Sequence, residues 1–253
     1  MALSCFDLSG RVALVTGGSK GLGQAIADAL ARAGADVAIA SRTQSALESA
    51  ADGLRRHGRR VAAVRADVTD EASVRDMLRQ VIEQCGQVDI LVNNAGIGDT
   101  QPVVDMDAAH WDEILNVNLR GPMLCCKHVG RHMIERNRGK VINVASVMAT
   151  HVARNMSAYS ASKAAIVQFT RTVAFEWIRY NVQVNALCPG YFLTDMNNEF
   201  FASARGRAFV AALPIRRLGE TRELDGAAVF LASDATSYVT GTTLYVDGGH
   251  SLA

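Results

Sequence analysis

Tyr159 and Lys163, in the stretch "AYSASKAA", stand four residues apart where the spacing predicts a helix. That places both on one helix face, one turn apart. The chemistry such a pair can do is proton exchange. A free phenol titrates near ~10, too high for ready exchange at neutral pH. An ammonium ~5 Å away at an effective dielectric of ~20 contributes roughly 3 kcal/mol, about two pK units toward the phenolate. The expectation is a tyrosine general acid/base with a lowered pKa. Alone the pair is a common coincidence on amphipathic helices. Ser146 adds a third group, because it ends the apolar run "VINV" thirteen residues before Tyr159. Its hydroxyl can hold a substrate oxygen beside the phenol.

A second constellation follows the first apolar run. In "TGGSKGLG", from Thr16 to Gly23, glycines 17, 21 and 23 are spaced G-x-x-x-G-x-G. Glycine lets the backbone approach a pyrophosphate at a helix N-terminus, where free N–H groups and the dipole favour anions. Ser41 and Arg42 end the second run. An acidic residue there would take the ribose hydroxyls of NAD and repel a 2′-phosphate. Serine does not repel it, Arg42 can pair with it, and Lys20 can reach it from the glycine loop. Charge-assisted bonds contribute roughly 1.5–3 kcal/mol each. Two of them predict NADP(H) over NAD(H) by on the order of a hundredfold.

These groups need a scaffold that brings them together. Apolar runs "VALV", "VAIA", "VAAV", "DILV", "VINV", "VQVNAL" and "TLYV" alternate with longer amphipathic stretches. Most of the runs are apolar throughout, as strands buried on both faces of a parallel sheet are. Gly34 and Gly86 fall where helix C-caps belong. The pattern predicts an α/β fold with a single doubly wound, seven-stranded parallel sheet of Rossmann type. Ligands of such sheets bind at the carboxyl ends of the strands. Those ends carry the glycine loop, Ser41-Arg42, Asp67, "NNAG", Ser146 and Pro189-Gly190, one polar edge long enough for a dinucleotide. No Pro- or Ser-rich linker and no solenoid period divides the chain. We expect one domain over 1–253, with residues 191–217 as a helical flap over the substrate site.

Taken together, "TGGSKGLG", "NNAG", Ser146, "YSASK" and "PGYFLT" resemble the short-chain dehydrogenase/reductase family over nearly the whole chain, to "YVDGG". The resemblance implies hydride transfer between the cofactor and a substrate carbon, with no metal. It implies that Tyr159 is the acid/base, that Lys163 lowers its pKa and holds the nicotinamide ribose, and that Ser146 positions the carbonyl. Asn118 in "NVNLRG" matches a structural asparagine that supports a proton relay through water and Lys163. The implied cofactor contacts are Gly17, Ser19, Lys20, Gly21, Leu22, Gly23, Ser41, Arg42, Asp67, Val68, Asn94, Ala95, Gly96, Tyr159, Lys163, Pro189, Gly190, Phe192 and Thr194. Asn93 is expected near the adenosine ribose. Met148, His151, Ala153, Arg154, Tyr191 and Phe192 are expected to line the substrate cleft. His151 or Arg154 would serve a hydroxylated or acidic substrate. "PGYFLTDM" and the tail resemble gluconate 5-dehydrogenase relatives; 3-oxoacyl-carrier-protein reductases share almost the same motifs. A non-catalytic NADP-binding regulator and a Rossmann-like methyltransferase are the alternatives, and both leave the Tyr/Lys pair unused.

The bulk numbers limit the partners. A net charge of +1 gives no sign of a nucleic-acid partner. Five cysteines without a C-x-x-C point to a reducing cytoplasm rather than a disulfide framework. "MALSCFDLSG" lacks the basic region of a secretory signal, and no run reaches the length of a membrane span. His128 and His132 have metal-ligand spacing but no companion ligand. The family resemblance implies a homotetramer.

Overall fold

Each strand of the sheet sends alternate side chains to opposite faces, and both faces are covered. The computed structural model describes residues 3–98, 100–194 and 197–253. The strands are β1 (Val12–Thr16), β2 (Asp36–Ser41), β3 (Val61–Arg65), β4 (Ile90–Asn93), β5 (Gly139–Val144), β6 (Val182–Pro189) and β7 (Thr243–Val246). All pair in parallel, in the order β3-β2-β1-β4-β5-β6-β7. Every run expected to be a strand is one. β1 pairs with both β2 and β4, so the chain reverses its direction of growth there. That switch point is where an open α/β sheet leaves a crevice.

The helices are α1 (Gly21–Arg32), α2 (Gln44–Arg55), α3 (Glu71–Cys85), α4 (Ala108–Leu115), α5 (Gly121–Glu135), α6 (Ser157–Trp177), α7 (Asn198–Ala202), α8 (Ala204–Ala212) and α9 (Asp225–Ala232). Ala13, Val15, Val37 and Ile39 face α1, α2 and α9, while Val12, Leu14, Ala38 and Ala40 face α3, α5 and α6. The one-residue alternation is the pleat; helix cover on both faces is why the strands read as continuous apolar runs. In α3, Val74, Met77, Val81 and Cys85 form the buried stripe, at the three- and four-residue steps of one helix face. Gly86 caps α3 at φ 91°, and Gly34 follows the end of α1 at φ 109°.

The segment expected to be a flap carries α7 and α8. Its base is closed by a bridge between Phe192 and Gly219, with Leu193 N–H donating to Gly219 O at 3.0 Å and Gly219 N–H to Tyr191 O at 2.8 Å. The closure thus lies two residues beyond the expected boundary at 217. Asp195 and Met196 of "PGYFLTDM" lie outside the described residues.

Candidate active site

The glycine loop is held by its neighbour strand. Asn94 Nδ2 donates to the carbonyls of Thr16 (3.0 Å) and Gly17 (3.2 Å), while Thr16 Oγ1 accepts from the N–H groups of Asn94 and Ala95. Gly17 has φ +65°, and a Cβ there would stand 2.8 Å from Asn94 Nδ2. At Gly23 a Cβ would stand 2.4 Å from Gly17 O. A side chain at either position would fill the cradle or push it apart. Asn94 is therefore a strut behind the loop. Leu22 is half-buried and packs in part against the core. Lys20 is exposed at the first turn of α1, Gly21 follows it at φ 56°, and Thr194 Cγ2 lies 4.0 Å from where a Gly21 Cβ would be. Thr194 thus stands beside the loop. Ser19 is half-buried beside Lys20.

The next strand ends complete the edge. Ser41 Oγ is shielded from solvent and has no hydrogen-bond partner among the described residues. Arg42 beside it is exposed. Burial pushes the Asp67 carboxyl up, but the Thr69 N–H and hydroxyl and the Arg42 charge together hold it below its usual value. Val68 is buried against Gly121. At the end of β4 the Asn93 side chain turns inward. Its Nδ2 donates to Asn143 Oδ1 at 2.8 Å and to Cys126 Sγ at 3.4 Å, so its side chain points into the protein. β4 and β5 place Asn93 directly beside Asn143, whose Oδ1 takes the Asn93 bond while its Nδ2 donates to Thr170 Oγ1 at 2.9 Å. Phe192 likewise sends its ring into the core.

Ser146, Tyr159 and Lys163 come together above β5 and β6. Ser146 ends β5 and its Oγ accepts from Met148 N–H at 3.1 Å. Lys163 is 5% exposed; its Nζ donates to Val144 O at 2.8 Å and lies 5.6 Å from the Tyr159 ring centroid. Gly96 closes the floor, since a Cβ there would stand 3.2 Å from Asn118 Oδ1 and 3.6 Å from Lys163 Nζ. Asn118 lies in a π-helical segment, Asn116–Arg120, between α4 and α5, a distortion that recurs at functional sites. Its amide accepts from Ile97 N–H (2.8 Å) and donates to Ile97 O (2.8 Å) and Ser162 Oγ (3.0 Å). Ser162 in turn donates to Tyr159 O. Through these bonds the side chain clamps the turn that carries Tyr159.

Known proteins resemble this chain in sequence and fold. The family model described as enoyl-(acyl carrier protein) reductase matches residues 17–251. The gluconate 5-dehydrogenase of Gluconobacter oxydans is 39% identical over 249 residues, covering 98% of this chain and 97% of that protein. The chain belongs to the short-chain dehydrogenase/reductase family. It is an oxidoreductase. The cis-4-hydroxycyclohexanecarboxylate dehydrogenase of Sinomonas cyclohexanicum is 40% identical over 242 residues, covering 95% of this chain and 96% of that one. A crystal structure of a gluconate 5-dehydrogenase from Burkholderia cenocepacia, in complex with NADP and tartrate, superposes with a TM-score of 0.95 at 38% identity, covering 100% of both chains.

Within this short-chain dehydrogenase/reductase the electrostatics differ from the expectation in sign. Burial is the largest influence on the Tyr159 phenol and pushes its pKa up; a hydrogen bond with Ser146 opposes the rise, and Tyr191 and Cys188 add to it. Burial also pushes the Lys163 ammonium down to about 8. The expectation counted the attraction between two charges and left out the removal of both from water.

The substrate side holds one residue that sequence reasoning passed over. His250 follows β7, and its ring lies 4.4 Å from that of His151 and 5.3 Å from that of Tyr191, centroid to centroid. Tyr191 also meets Phe209 of α8 edge-on at 4.7 Å. Met148 is buried, whereas Ala153 and Arg154 are exposed. Nothing local in "YVDGGHSLA" marks the histidine, because its partners come from the loops after β5 and β6. His128, of the discounted histidine pair, binds Glu71 at 2.9 Å.

Proposed function

We propose that the protein interconverts a ketone and a secondary alcohol on a hydroxylated carboxylate, using NADP(H). The convergence of Ser146, Tyr159 and Lys163 at the strand edge that carries the glycine cradle is the observation on which the reading rests. The cofactor reading draws on the unpaired Ser41 hydroxyl beside Arg42, on the cradle that a Cβ at Gly17 or Gly23 would fill, and on the NADP of the Burkholderia relative. The substrate class draws on the relatives: gluconate, hydroxycyclohexanecarboxylate and the tartrate of the complex are all hydroxylated carboxylates.

NADP(H), when bound, accepts or supplies the hydride at the substrate carbon. Gly17, Gly21 and Gly23 would admit its pyrophosphate to the N-terminus of α1, and Lys20 and Arg42 would hold its 2′-phosphate. Ser146 Oγ holds the substrate oxygen beside Tyr159. Burial favours the protonated phenol, the form that gives its proton to a carbonyl oxygen. In the other direction it must first lose that proton, and the buried Lys163 ammonium beside it stabilises the phenolate that results. Asn118 and Ser162 keep the phenol's helical turn in place. Residues 191–217 cover the substrate within one domain.

The test is a panel of keto sugar acids, neutral ketones and acetoacetyl thioesters, run with NADPH and with NADH. The expected result is turnover of the keto acids with kcat/KM for NADPH above that for NADH by on the order of a hundredfold. Arg42→Asp should collapse that ratio. A ratio near one sinks the cofactor assignment, and turnover confined to thioesters sinks the substrate class.

A further inference from the structure

We infer that His250 binds substrate, meeting an acidic oxygen at the end remote from the reacting carbon; this rests on the hydroxylated-carboxylate reading above. Three segments far apart in sequence meet here: the loop after β5 with His151, the exit of β6 with Tyr191, and the turn after β7 with His250. His151 ties the cluster to the chemistry, because its N–H donates to Val147 O at 2.9 Å, one residue beyond Ser146. A substrate held by Ser146 and Tyr159 therefore extends toward His250.

His250 itself is poised for a partner. Its Nδ1 is shielded from solvent and has no hydrogen-bond partner among the described residues. Buried polar atoms are almost always paired in native interiors. Leaving an imidazole nitrogen unpaired costs more than one ring contact returns, so an arriving oxygen can displace the half-exposed His151 ring. The backbone that presents His250 is anchored separately. Asp247 accepts from Gly249 N–H at 2.9 Å and from Ser251 N–H at 2.8 Å, which fixes the turn on both sides of the histidine.

The charges at the cluster select the kind of oxygen. Burial and the neighbouring His151 disfavour a second positive charge on His250, while Asp247 favours it. Two imidazoles side by side repel when both are protonated. A carboxylate between them removes that repulsion and accepts a hydrogen bond from each; a neutral oxygen accepts the bond without relieving the charge. The selectivity belongs to the acid form of the substrate.

The experiment compares 5-ketogluconate with its methyl ester as substrates of wild type, His250→Ala and His250→Asn, with NADPH at saturation. In His250→Ala we expect KM for the acid to rise about tenfold and KM for the ester about threefold or less. kcat, the KM for NADPH and the Tm should stay near wild type. His250→Asn, which keeps a side-chain donor, should recover part of the acid's KM. An unchanged KM for the acid overturns the assignment. So do equal rises for acid and ester in both variants, because a merely structural histidine would act on both alike. The wild-type arm tests the underlying reading by itself: if wild type turns over other ketones and no keto acid, the substrate class fails. The variants are then compared on the best ketone, where an unchanged KM overturns His250 as a substrate contact of any kind.

Discussion

The two edges of the sheet each hold a buried lysine whose pKa burial has lowered to about 8, Lys163 at the carboxyl edge and Lys140 at the amino edge. The groups around the two differ. At the amino edge the polar groups are paired. Lys140 Nζ donates to Thr236 Oγ1, Arg11 binds Asp234 at 2.6 Å, and the fully buried Asp89 accepts from Val12 N–H, Gln87 and Arg136. At the carboxyl edge shielded atoms lack partners among the described residues: Ser41 Oγ, Asn93 Oδ1, Ser157 Oγ, Ser160 Oγ and His250 Nδ1. Thr243, at the start of β7, is an exception on the other side. A shifted pKa reports burial, which both edges have. Unpaired shielded atoms report an interaction that the chain does not supply to itself.

The contrast can be broken most strongly at Tyr159. Tyr159→Phe should lower kcat by about a hundred- to ten-thousandfold, with NADPH binding and the Tm retained. Lys140→Met, at the other edge, should leave kcat unchanged. Comparable losses of kcat in the two variants would remove the distinction. The next largest effect belongs to the amino edge. Arg136→Ala leaves the Asp89 carboxylate, which is 0% exposed, without its cation. That costs about 3–5 kcal/mol, a fall in Tm of about 6–20 °C for a chain of this size. Activity per folded molecule at low temperature should be unchanged; a loss of kcat with an intact Tm would show that this edge serves catalysis. The smallest effect is the most diagnostic. Ser41→Ala removes a shielded hydroxyl that has no hydrogen-bond partner among the described residues, so the Tm should hold or rise by about 2–4 °C. KM for NADPH should rise about three- to tenfold. A lower Tm with KM unchanged would make Ser41 a structural residue and leave Arg42 and Lys20 as the cofactor's only selectors.

Much of the scaffold was legible because it is written in local periodicity. Seven short apolar runs were strands, and Gly34 and Gly86 took the positive φ that helix ends favour. The Tyr159–Lys163 pair lies one turn apart on α6 because helical geometry leaves no choice. Asn93 was not legible. Its position at a strand end was readable, but its direction depends on the register that puts Asn143 beside it. Phe192 shows the same gap, since its ring follows the sheet and α9 rather than the neighbouring Gly190. Asn118 was recognised by motif, yet its work is done through Ile97 and Ser162, partners that only the packed chain defines.

By itself the sequence determined the order of elements, the glycine spacing of the cradle, and the residue types that face the strand ends. Each of these follows from the chain within a few residues, through φ/ψ preference and side-chain period. Tertiary structure alone decided the direction of the Tyr159 shift, the polar atoms left without partners, and the meeting of His250 with His151 and Tyr191. Desolvation and hydrogen-bond pairing are properties of a place in the folded molecule, set by atoms that arrive from distant parts of the chain.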